Sequence, residues 1–219
     1  MNYQGMRVEE EADNSASWLS VGDLMSGLLM IFALLLMVTL TQLSDAVEQS
    51  KKSRIVVIKA LTDAMQSQGI NAEVDPVTGD VSIVDSILFD IQDARLKKDG
   101  ASFLDRFVPV YSGVLFSRPE ITEQITRVVI EGHTSSDGDY SYNMGLSLDR
   151  AQNVVSYLAK LDFDDKDKFL SLLMPAGRGE IDADPESAKS EDRKVLFRFQ
   201  FRGDTEDFVK MLNSKAESH

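Results

Sequence analysis

A run of twenty residues without a formal charge, residues 24–43, constrains this chain more than any other feature. A helix rises about 1.5 Å per residue, so a run of this length crosses the roughly 30 Å hydrocarbon core of a bilayer. The preceding residues are acidic, the run is longer than the apolar part of a signal peptide, and no small-x-small cleavage site follows it. The sequence therefore predicts one transmembrane helix over residues 17–43.

Asp23 directly precedes this run, and its position suggests a function. A carboxylate at the bilayer centre costs about 2.5 to 3.5 kcal/mol, so one that is kept there usually faces a partner, a bundle interior or water. Asp23, Ser26, Gly27 and Met30 share one helical stripe, and the two small residues let a second helix approach closely. An apolar environment favours the neutral form of a carboxyl group, which is the property that a proton carrier needs.

A second interpretation of Asp23 requires no such function. Residues 24–43 are long enough to span the bilayer alone, so Asp23 could be a first-turn acid at headgroup level that complements the helix dipole. Trp18 favours the deeper position, because an interfacial tryptophan about one and a half turns earlier places Asp23 inside the boundary. The residues alone leave both interpretations open.

Composition limits what the rest of the chain can do. Its 219 residues allow one membrane segment and one soluble domain. Lys and Arg together number 23 against 36 Asp and Glu, and the net charge of −13 disfavours direct nucleic-acid binding. There is no cysteine, no metal-ligand cluster, no Gly-x-Ser-x-Gly elbow and no clear acid/base pair in the sequence. It therefore predicts no enzyme, no catalytic residue, no cofactor and no metal site.

The segments around the apolar run differ in character. Residues 1–16 are acidic without apolar periodicity, which predicts a short flexible tail. Residues 44–69 are good helix formers with apolar side chains interrupted by charge, which predicts a helical neck. That neck could pair with a second copy as a coiled coil or stay a single solvated helix. Residues 70–203 read as a soluble domain, and residues 204–219 as a C-terminal tail.

The soluble domain mixes strands with helices. The runs INAEVD and DVSIVD predict a hairpin. Helical spacing marks residues 101–115 and 143–161, and apolar or β-branched runs predict strands at 125–131, 170–176 and 195–201. We therefore expect an α+β fold, an α/β sandwich with helices on one face of a sheet.

The most informative run of this domain is VIEGHTSSDGDYSYNMGLSLDRA, residues 129–151. A strand leads into a Gly-rich loop and then a helix that presents Asn143, Leu146 and Arg150 about one turn apart, with Tyr142 just before them. Such donors, an aromatic wall and a guanidinium suit a carboxylate ligand. The alternative is an ordinary helix start with a structural arginine. His133 is predicted to pack the loop rather than to bind a metal.

The stretch EGHTSSDGDYSYNMGLSLDRAQNVVSYL resembles the core motif of OmpA-like peptidoglycan-binding domains, and GRGE at 177–180 and DRKV at 192–195 match later elements of that family. The resemblance implies that Arg150 binds the free carboxylate of the stem peptide's diaminopimelate, with Tyr142, Asn143 and Leu146 shaping the pocket. One position departs from the family. The aspartate that holds the ligand's ammonium group is Ser135 here, and Asp137 lies two positions further on.

The stretch WLSVGDLMSGLLMIF resembles the B subunits of flagellar stators, and it is closer still to the B subunits of the Zorya anti-phage defence systems. That resemblance implies an inner-membrane subunit with a cytoplasmic N-terminus and a periplasmic domain. Two copies would sit as a homodimer within a ring of multi-span, MotA-like A subunits (ZorA). Asp23 would carry protons, or sodium, inward and so turn the ring around an anchor on peptidoglycan.

Two alternatives and one contrary signal accompany this hypothesis. The chain could be a flagellar MotB-type stator subunit, or a passive OmpA-like envelope tether that conducts nothing. Basic residues follow the span at Lys51, Lys52, Arg54 and Lys59, whereas only Arg7 precedes it. The positive-inside rule would therefore keep the domain in the cytoplasm, although long domains translocate largely regardless of charge.

Overall fold

The computed structural model describes the backbone of residues 3–202 and the side chains of residues 18, 21–45, 48 and 52–202. The chain forms two compact units, Met1–Gln49 and Ser50–His219. The tail predicted at residues 204–219 lies outside the described residues.

The first helix, α1, comprises Tyr3–Ser67. Its backbone is helical from residue 3, so α1 includes residues 3–16 of the segment predicted as a flexible tail, and the flexibility of that segment stays a prediction. This stretch contains no proline, and extending an existing helix costs far less than nucleating a new one. Within α1, Val21–Asp45 is long and apolar enough to cross a membrane, and its 25 residues measure about 37 Å. No other described helix meets that test.

The second compact unit begins at Ser50, so the last part of the predicted neck lies in that unit. There the apolar side chains Val57, Ile58, Leu61 and Met65 are buried in the core of the domain. The sequence left open whether this face pairs with a second copy. Because the domain itself covers these four side chains, they are not available for a coiled coil.

Five strands form one sheet with the order β1-β2-β5-β3-β4. Their bounds are β1 Glu73–Val74, β2 Val81–Val84, β3 Ile125–His133, β4 Leu173–Gly179 and β5 Lys194–Phe201. Strands β3 and β4 are parallel, and the other neighbours are antiparallel. The predicted hairpin is confirmed as β1–β2, where Asp75 Oδ1 accepts hydrogen bonds from the amides of Val77 and Thr78.

Five further helices and one short 3₁₀ turn complete the domain. Their bounds are α2 Asp85–Leu88, α3 Lys98–Leu115, α4 Pro119–Thr122, α5 Tyr140–Leu158, α6 Lys166–Leu172 and the 3₁₀ turn Ser190–Asp192. The two helices predicted in this domain are therefore confirmed as α3 and α5. The strand predicted at 170–176 is wrong in its first residues, which belong to α6. Helix α6 has only seven residues and buries Phe169, too little for a helical period to show in the sequence.

The helices pack against one face of the sheet, as expected for the predicted sandwich. On β5, Phe197 faces the helices and its ring centroid lies 4.8 Å from that of Phe107 in α3. Residues opposite each other in the antiparallel ladder share a face, and Ile130 of β3 is the partner of Phe197. Arg198, which alternates with Phe197, points to the other face and pairs with Asp80 at 2.9 Å. The predicted α+β fold is thus confirmed.

Candidate functional site

The candidate pocket begins with a capped helix. Asp139 is the N-cap of α5, and its Oδ2 accepts hydrogen bonds from the amides of Ser141 at 3.0 Å and Tyr142 at 3.4 Å. Asparagine, aspartate, serine and threonine favour this position because they satisfy amides that the first turn leaves unpaired. The cap fixes where α5 starts, and so fixes Tyr142 and Asn143 at the end of the loop that follows β3.

Two glycines let α5 lie directly on the sheet. A Cβ atom at Gly132 would meet the backbone oxygen of Ser147 at 2.1 Å, and one at Gly177 would meet the Ser147 Oγ at 2.7 Å. Only glycine permits this approach. The Ser147 hydroxyl also accepts a hydrogen bond from the amide of Gly179 at 2.9 Å. This contact holds the buried side of α5 against the ends of β3 and β4.

The four residues predicted to bind a ligand, Tyr142, Asn143, Leu146 and Arg150, come together around one cavity of about 270 Å³. Its full lining is Ile91, Gln92, Thr134, Ser135, Asp137, Tyr142, Asn143, Leu146, Arg150 and Arg193. The loop and helix therefore form a concave surface, as the sequence pattern suggested. The ligand that it binds stays a prediction.

Arg150 is both a pocket residue and a structural one. Only 1% of it is exposed. Its Nε donates to the carbonyl of Asp93 at 3.0 Å and its Nη2 to the carbonyl of Asp90 at 3.4 Å, and Nη2 lies 3.2 Å from Asp85 Oδ2. The guanidinium also lies over the Phe89 ring. The sequence left open whether Arg150 binds a ligand or is a structural arginine, and the structure makes these two interpretations compatible.

Asp85 balances the charge of Arg150, although burial disfavours the charged form of its own carboxyl group. Burial raises the pKa of the Asp85 carboxyl to about 6, although Arg150, Arg193 and Lys97 all act to lower it. Its Oδ1 atom is buried and has no hydrogen-bond partner among the described residues. In the same way, burial lowers the pKa of Arg150 while the neighbouring Asp85 acts to raise it. Both the Asp85 carboxyl group and the Arg150 guanidinium are therefore poorly solvated in the folded domain.

Asn143 holds the loop rather than leaving its amide free. Its Nδ2 donates to the carbonyls of Asp137 at 3.0 Å and Ser135 at 3.5 Å, and also to the Glu180 carboxylate. These bonds join the loop after β3 to the segment after β4. We infer that Asn143 shapes the pocket by fixing its walls, because its donors already have internal acceptors.

The loop residues differ in exposure. Ser135, which stands where the OmpA-like motif has aspartate, is buried, whereas Asp137 is exposed and lies at the rim of the cavity. Tyr142 is 48% exposed and forms an accessible aromatic wall. The buried end of the pocket therefore carries hydroxyl and guanidinium groups, and its carboxylate lies at the rim.

His133 takes part in a network of polar side chains on the face of the sheet away from the helices. Its Nε2 lies 2.8 Å from Glu131 Oε1, and its Nδ1 lies 3.6 Å from Asp182 Oδ2. These three residues are of metal-binding types and lie close together. However, the two carboxylates face opposite ring nitrogens, and they also pair with Arg198 and Arg178 respectively. Each carboxylate thus forms an ion pair with an arginine and also contacts the His133 ring.

Asp23 lies in the other compact unit, near the start of Val21–Asp45. Its side chain is exposed along α1, as are those of Ser26, Gly27 and Met30. The Ser26 hydroxyl donates to the carbonyl of Gly22 at 2.8 Å, which keeps this polar group satisfied within the helix. The predicted stripe therefore stays open to a partner helix.

Residues 88–195 match the model of the OmpA family. The Zorya protein ZorB of Escherichia coli strain ATCC 8739 is 30% identical over 172 residues, which cover 70% of this chain and 72% of that protein. The chain belongs to the ZorB family. A second ZorB protein, from E. coli O139:H28 strain E24377A, is 27% identical over 221 residues, or 91% of this chain and 89% of that one.

The fold of this ZorB-family chain also has a solved counterpart. A MotB-like protein from Desulfovibrio vulgaris is 18% identical with a TM-score of 0.51, and the match covers 71% of this chain and 96% of that structure. The similarity confirms the predicted fold. The resemblances to OmpA-like and Zorya proteins that the sequence motifs indicated are likewise confirmed.

Sequence reasoning missed several residues of the pocket in this ZorB-family chain. Ile91 and Gln92 lie between α2 and α3, where no periodicity marks them, and Gln92 adopts a φ of 58°. Thr134 and Arg193 stood within matched motifs, GHTS and DRKV, but had no assigned role. Because β3 and β5 are neighbours in the sheet, knowledge of the strand order would have predicted that these two residues lie close together.

Proposed function

We propose that this ZorB-family chain is the membrane-anchored subunit of a proton-driven, stator-like motor in an anti-phage defence complex. The observation that carries the proposal is Asp23, which is the one charged residue between Val21 and Leu43 in a helix long enough to span a membrane. Ion carriers need a titratable group at such a depth, whereas a passive anchor needs only apolar length. The proposal includes no enzymatic step.

The proposed partners follow from the same helix. Ser26 and Gly27 lie on the face of Asp23 and would allow close approach of a second helix. We place two copies of the chain, as a homodimer, within a ring of multi-span A subunits (ZorA). Protons, or sodium, would pass from the periplasm through Asp23 to the cytoplasm. The chain would cross the inner membrane once, with its N-terminus in the cytoplasm and its domain in the periplasm.

The anchoring role rests on the pocket. Arg150 presents a guanidinium at the base of a cavity of about 270 Å³, and Tyr142 and Leu146 form its apolar walls. Guanidinium groups bind carboxylates well, and a peptidoglycan stem peptide carries a free carboxylate on its diaminopimelate. We propose that the domain grips peptidoglycan through this pocket while the ring turns. Asp137 at the rim could replace the missing motif aspartate toward the ligand's ammonium group.

The ion-carrier role is tested by phage plaquing on cells that express the intact system with Asp23→Asn. The matched control is Asp45→Asn, which removes a carboxylate at the other end of the same span. We expect Asp23→Asn to abolish protection and Asp45→Asn to retain it. Co-purification of the A subunit must show that both variants assemble.

Full protection by an assembled Asp23→Asn complex would refute the ion-carrier role. The passive envelope tether would then be the better account, because it needs only the span and the pocket. A flagellar stator role is the other alternative, and membership of the ZorB family favours defence over it.

The anchoring role is tested by co-sedimentation of the detergent-solubilised full chain with purified sacculi. Tyr142→Ala removes an exposed pocket wall, and Tyr140→Ala is its control because Tyr140 is 54% exposed on the same helix and does not line the cavity. We expect only Tyr142→Ala to weaken sedimentation. Equal binding by both variants would place the peptidoglycan contact elsewhere.

A further inference from the structure

We propose that proton uptake by Asp85 regulates the pocket, so that binding of a carboxylate ligand at Arg150 becomes tighter as the pH falls. The inference rests on the proposed peptidoglycan function and adds the regulation of that same site. It involves one buried carboxyl group, one guanidinium and the cavity that this guanidinium lines. Asp85 and the ligand are both anions, and they share Arg150 as their cation.

Arg150 connects Asp85 with the cavity. Arg150 lines the cavity and Asp85 does not, yet the Arg150 Nη2 atom lies 3.2 Å from Asp85 Oδ2. The Nη1 atom of Arg150 makes no hydrogen bond within the part of the chain that the structure describes. Nη1 is therefore the donor available to a ligand, and a ligand carboxylate there would be separated from the Asp85 carboxylate by a single guanidinium.

The position of Arg150 does not depend on the charge of Asp85. The carbonyls of Asp93 and Asp90 accept hydrogen bonds from its Nε and Nη2 atoms at 3.0 Å and 3.4 Å. The guanidinium also lies over the Phe89 ring, 5.3 Å from its centroid. Protonation of Asp85 thus changes the charge beside the guanidinium and leaves the guanidinium at the cavity.

The surroundings of Asp85 already disfavour its ionised form. The residue is 4% exposed, and its Oδ1 atom has no hydrogen-bond partner among the described residues. Burial raises the pKa of this carboxyl to about 6 against the effect of three cations, Arg150 on α5, Arg193 before β5 and Lys97 before α3. The nearby Asp90 carboxylate lies 3.7 Å from Lys97 Nζ. A small additional repulsion is therefore enough to protonate Asp85 near neutral pH.

The sign of the regulation follows from this repulsion. A bound carboxylate disfavours ionised Asp85 and so raises its pKa above the value of about 6 in the free chain. The complex then keeps a proton that the free chain has lost, so affinity rises as the pH falls. A rise of about one pKa unit, as a neighbouring like charge produces, gives about eightfold tighter binding at pH 5 than at pH 8.

This regulation has a consequence for the proposed motor. Protons would reach Asp23 from the periplasm, and the proposed orientation places Asp85 in the same compartment. A high external proton concentration would then drive the ring and tighten its anchor at the same time. The chain would bind the cell wall most tightly when the torque on it is largest.

The test measures sedimentation of the detergent-solubilised full chain with purified sacculi at pH 5, 6.5 and 8. The variant is Asp85→Asn, and the matched control is Asp99→Asn, which removes an exposed carboxylate at the start of α3. We expect the wild type to bind about eightfold tighter at pH 5 than at pH 8. Asp85→Asn should bind at every pH as the wild type does at pH 5, because asparagine is uncharged, as the protonated carboxyl is. Asp99→Asn should follow the wild type.

The result expected at pH 8 is a gain of affinity, which destabilisation of the domain would not produce. Asp85→Asn should bind about eightfold tighter than the wild type there. Pulse proteolysis at pH 5 should find the two chains about equally stable, because Asp85 is mostly neutral in the folded wild type at that pH. His133 and the ionisable groups of the sacculus are the same in both chains, so the difference between the two chains isolates Asp85.

The outcomes separate the inference from the proposed function. If the wild-type chain sediments with sacculi at none of the three pH values, the anchoring function itself is wrong. If the wild type sediments equally well at all three, the regulation is wrong while the anchor stands, whatever the variant does. The regulation is also wrong if Asp85→Asn keeps the wild-type pH dependence or binds no tighter than the wild type at pH 8. A pH-dependent wild type with a tight, pH-independent Asp85→Asn supports the inference.

Discussion

Replacing Arg150 by methionine should destabilise the domain by an amount that depends on pH. Methionine keeps an unbranched side chain but removes the guanidinium, which leaves Asp85 buried at 4% exposure without its partner. The carbonyls of Asp90 and Asp93 also lose their donor. Breaking a buried pair from one side typically costs about 3 to 5 kcal/mol. We expect about 4 kcal/mol at pH 7.5.

The pH dependence follows from Asp85. The pKa of Asp85 in the folded wild type is about 6, above the ordinary value of 3.8. Between pH 3.8 and 6 the unfolded chain therefore loses a proton that the folded domain keeps, and the free energy of unfolding falls as the pH rises. Without Arg150 the pKa of Asp85 rises further, and the variant continues to lose stability above pH 6. Each pH unit adds about 1.4 kcal/mol to this difference. The destabilisation should therefore be about 2 kcal/mol smaller at pH 5 than at pH 7.5.

Pulse proteolysis of the detergent-solubilised chain across a urea series measures this change. With a urea dependence of about 2 kcal/mol per molar, the midpoint should fall by about 2 M at pH 7.5 and by about 1 M at pH 5. Arg127→Met is the control, since that arginine is exposed and should cost less than about 0.5 kcal/mol at either pH. Equal destabilisation at the two pH values would refute the assignment of Asp85 as the charge that Arg150 balances.

Two further predictions concern packing and use the same assay. Gly132→Ala should cost about 3 kcal/mol, because its methyl group would meet the Ser147 backbone, whereas Gly145→Ala should not destabilise, as its added Cβ meets nothing within 4 Å. A neutral Gly132→Ala would contradict the close contact of α5 with β3. Leu61→Ala should cost about 2 to 5 kcal/mol because this helix side chain is fully buried, and Ile55→Ala, at a position 66% exposed, should be near neutral. Similar values for that second pair would mean that the end of α1 is not part of the domain core.

The sequence predicted those elements whose side-chain pattern is long and regular. Strand β3 carries a β-branched run and α5 carries a full apolar face over nineteen residues, so both appeared close to their true positions. The pocket residues of α5 followed from helical spacing together with the resemblance to the OmpA-like motif. The same reasoning missed α6, which is too short for a period, and placed the end of α1 outside the domain. An amphipathic helix shows that it has a buried face but not which surface buries it.

The remaining pocket residues depend on contacts between distant segments. Gln92 lies in an irregular loop, and Asp85 is an isolated acid in a four-residue helix. Their proximity to Arg150 results from how α2 and the following loop pack beside α5, which no local pattern encodes. Thr134 and Arg193 meet only because β5 is inserted between β2 and β3. A strand order of this kind is a property of the whole sheet.

The assembly of the pocket from four separate segments has an evolutionary consequence. Arg150 and Asn143 hold neighbouring backbone together, so a substitution at either position damages the fold as well as the site. The side chains of Asp137 and Tyr142 lie at the rim and make no hydrogen bond within the described residues. We therefore expect relatives that adapt to a differently modified cell wall to diverge first at these two rim positions. Arg150 and Asn143 should change less, because they stay under selection for folding.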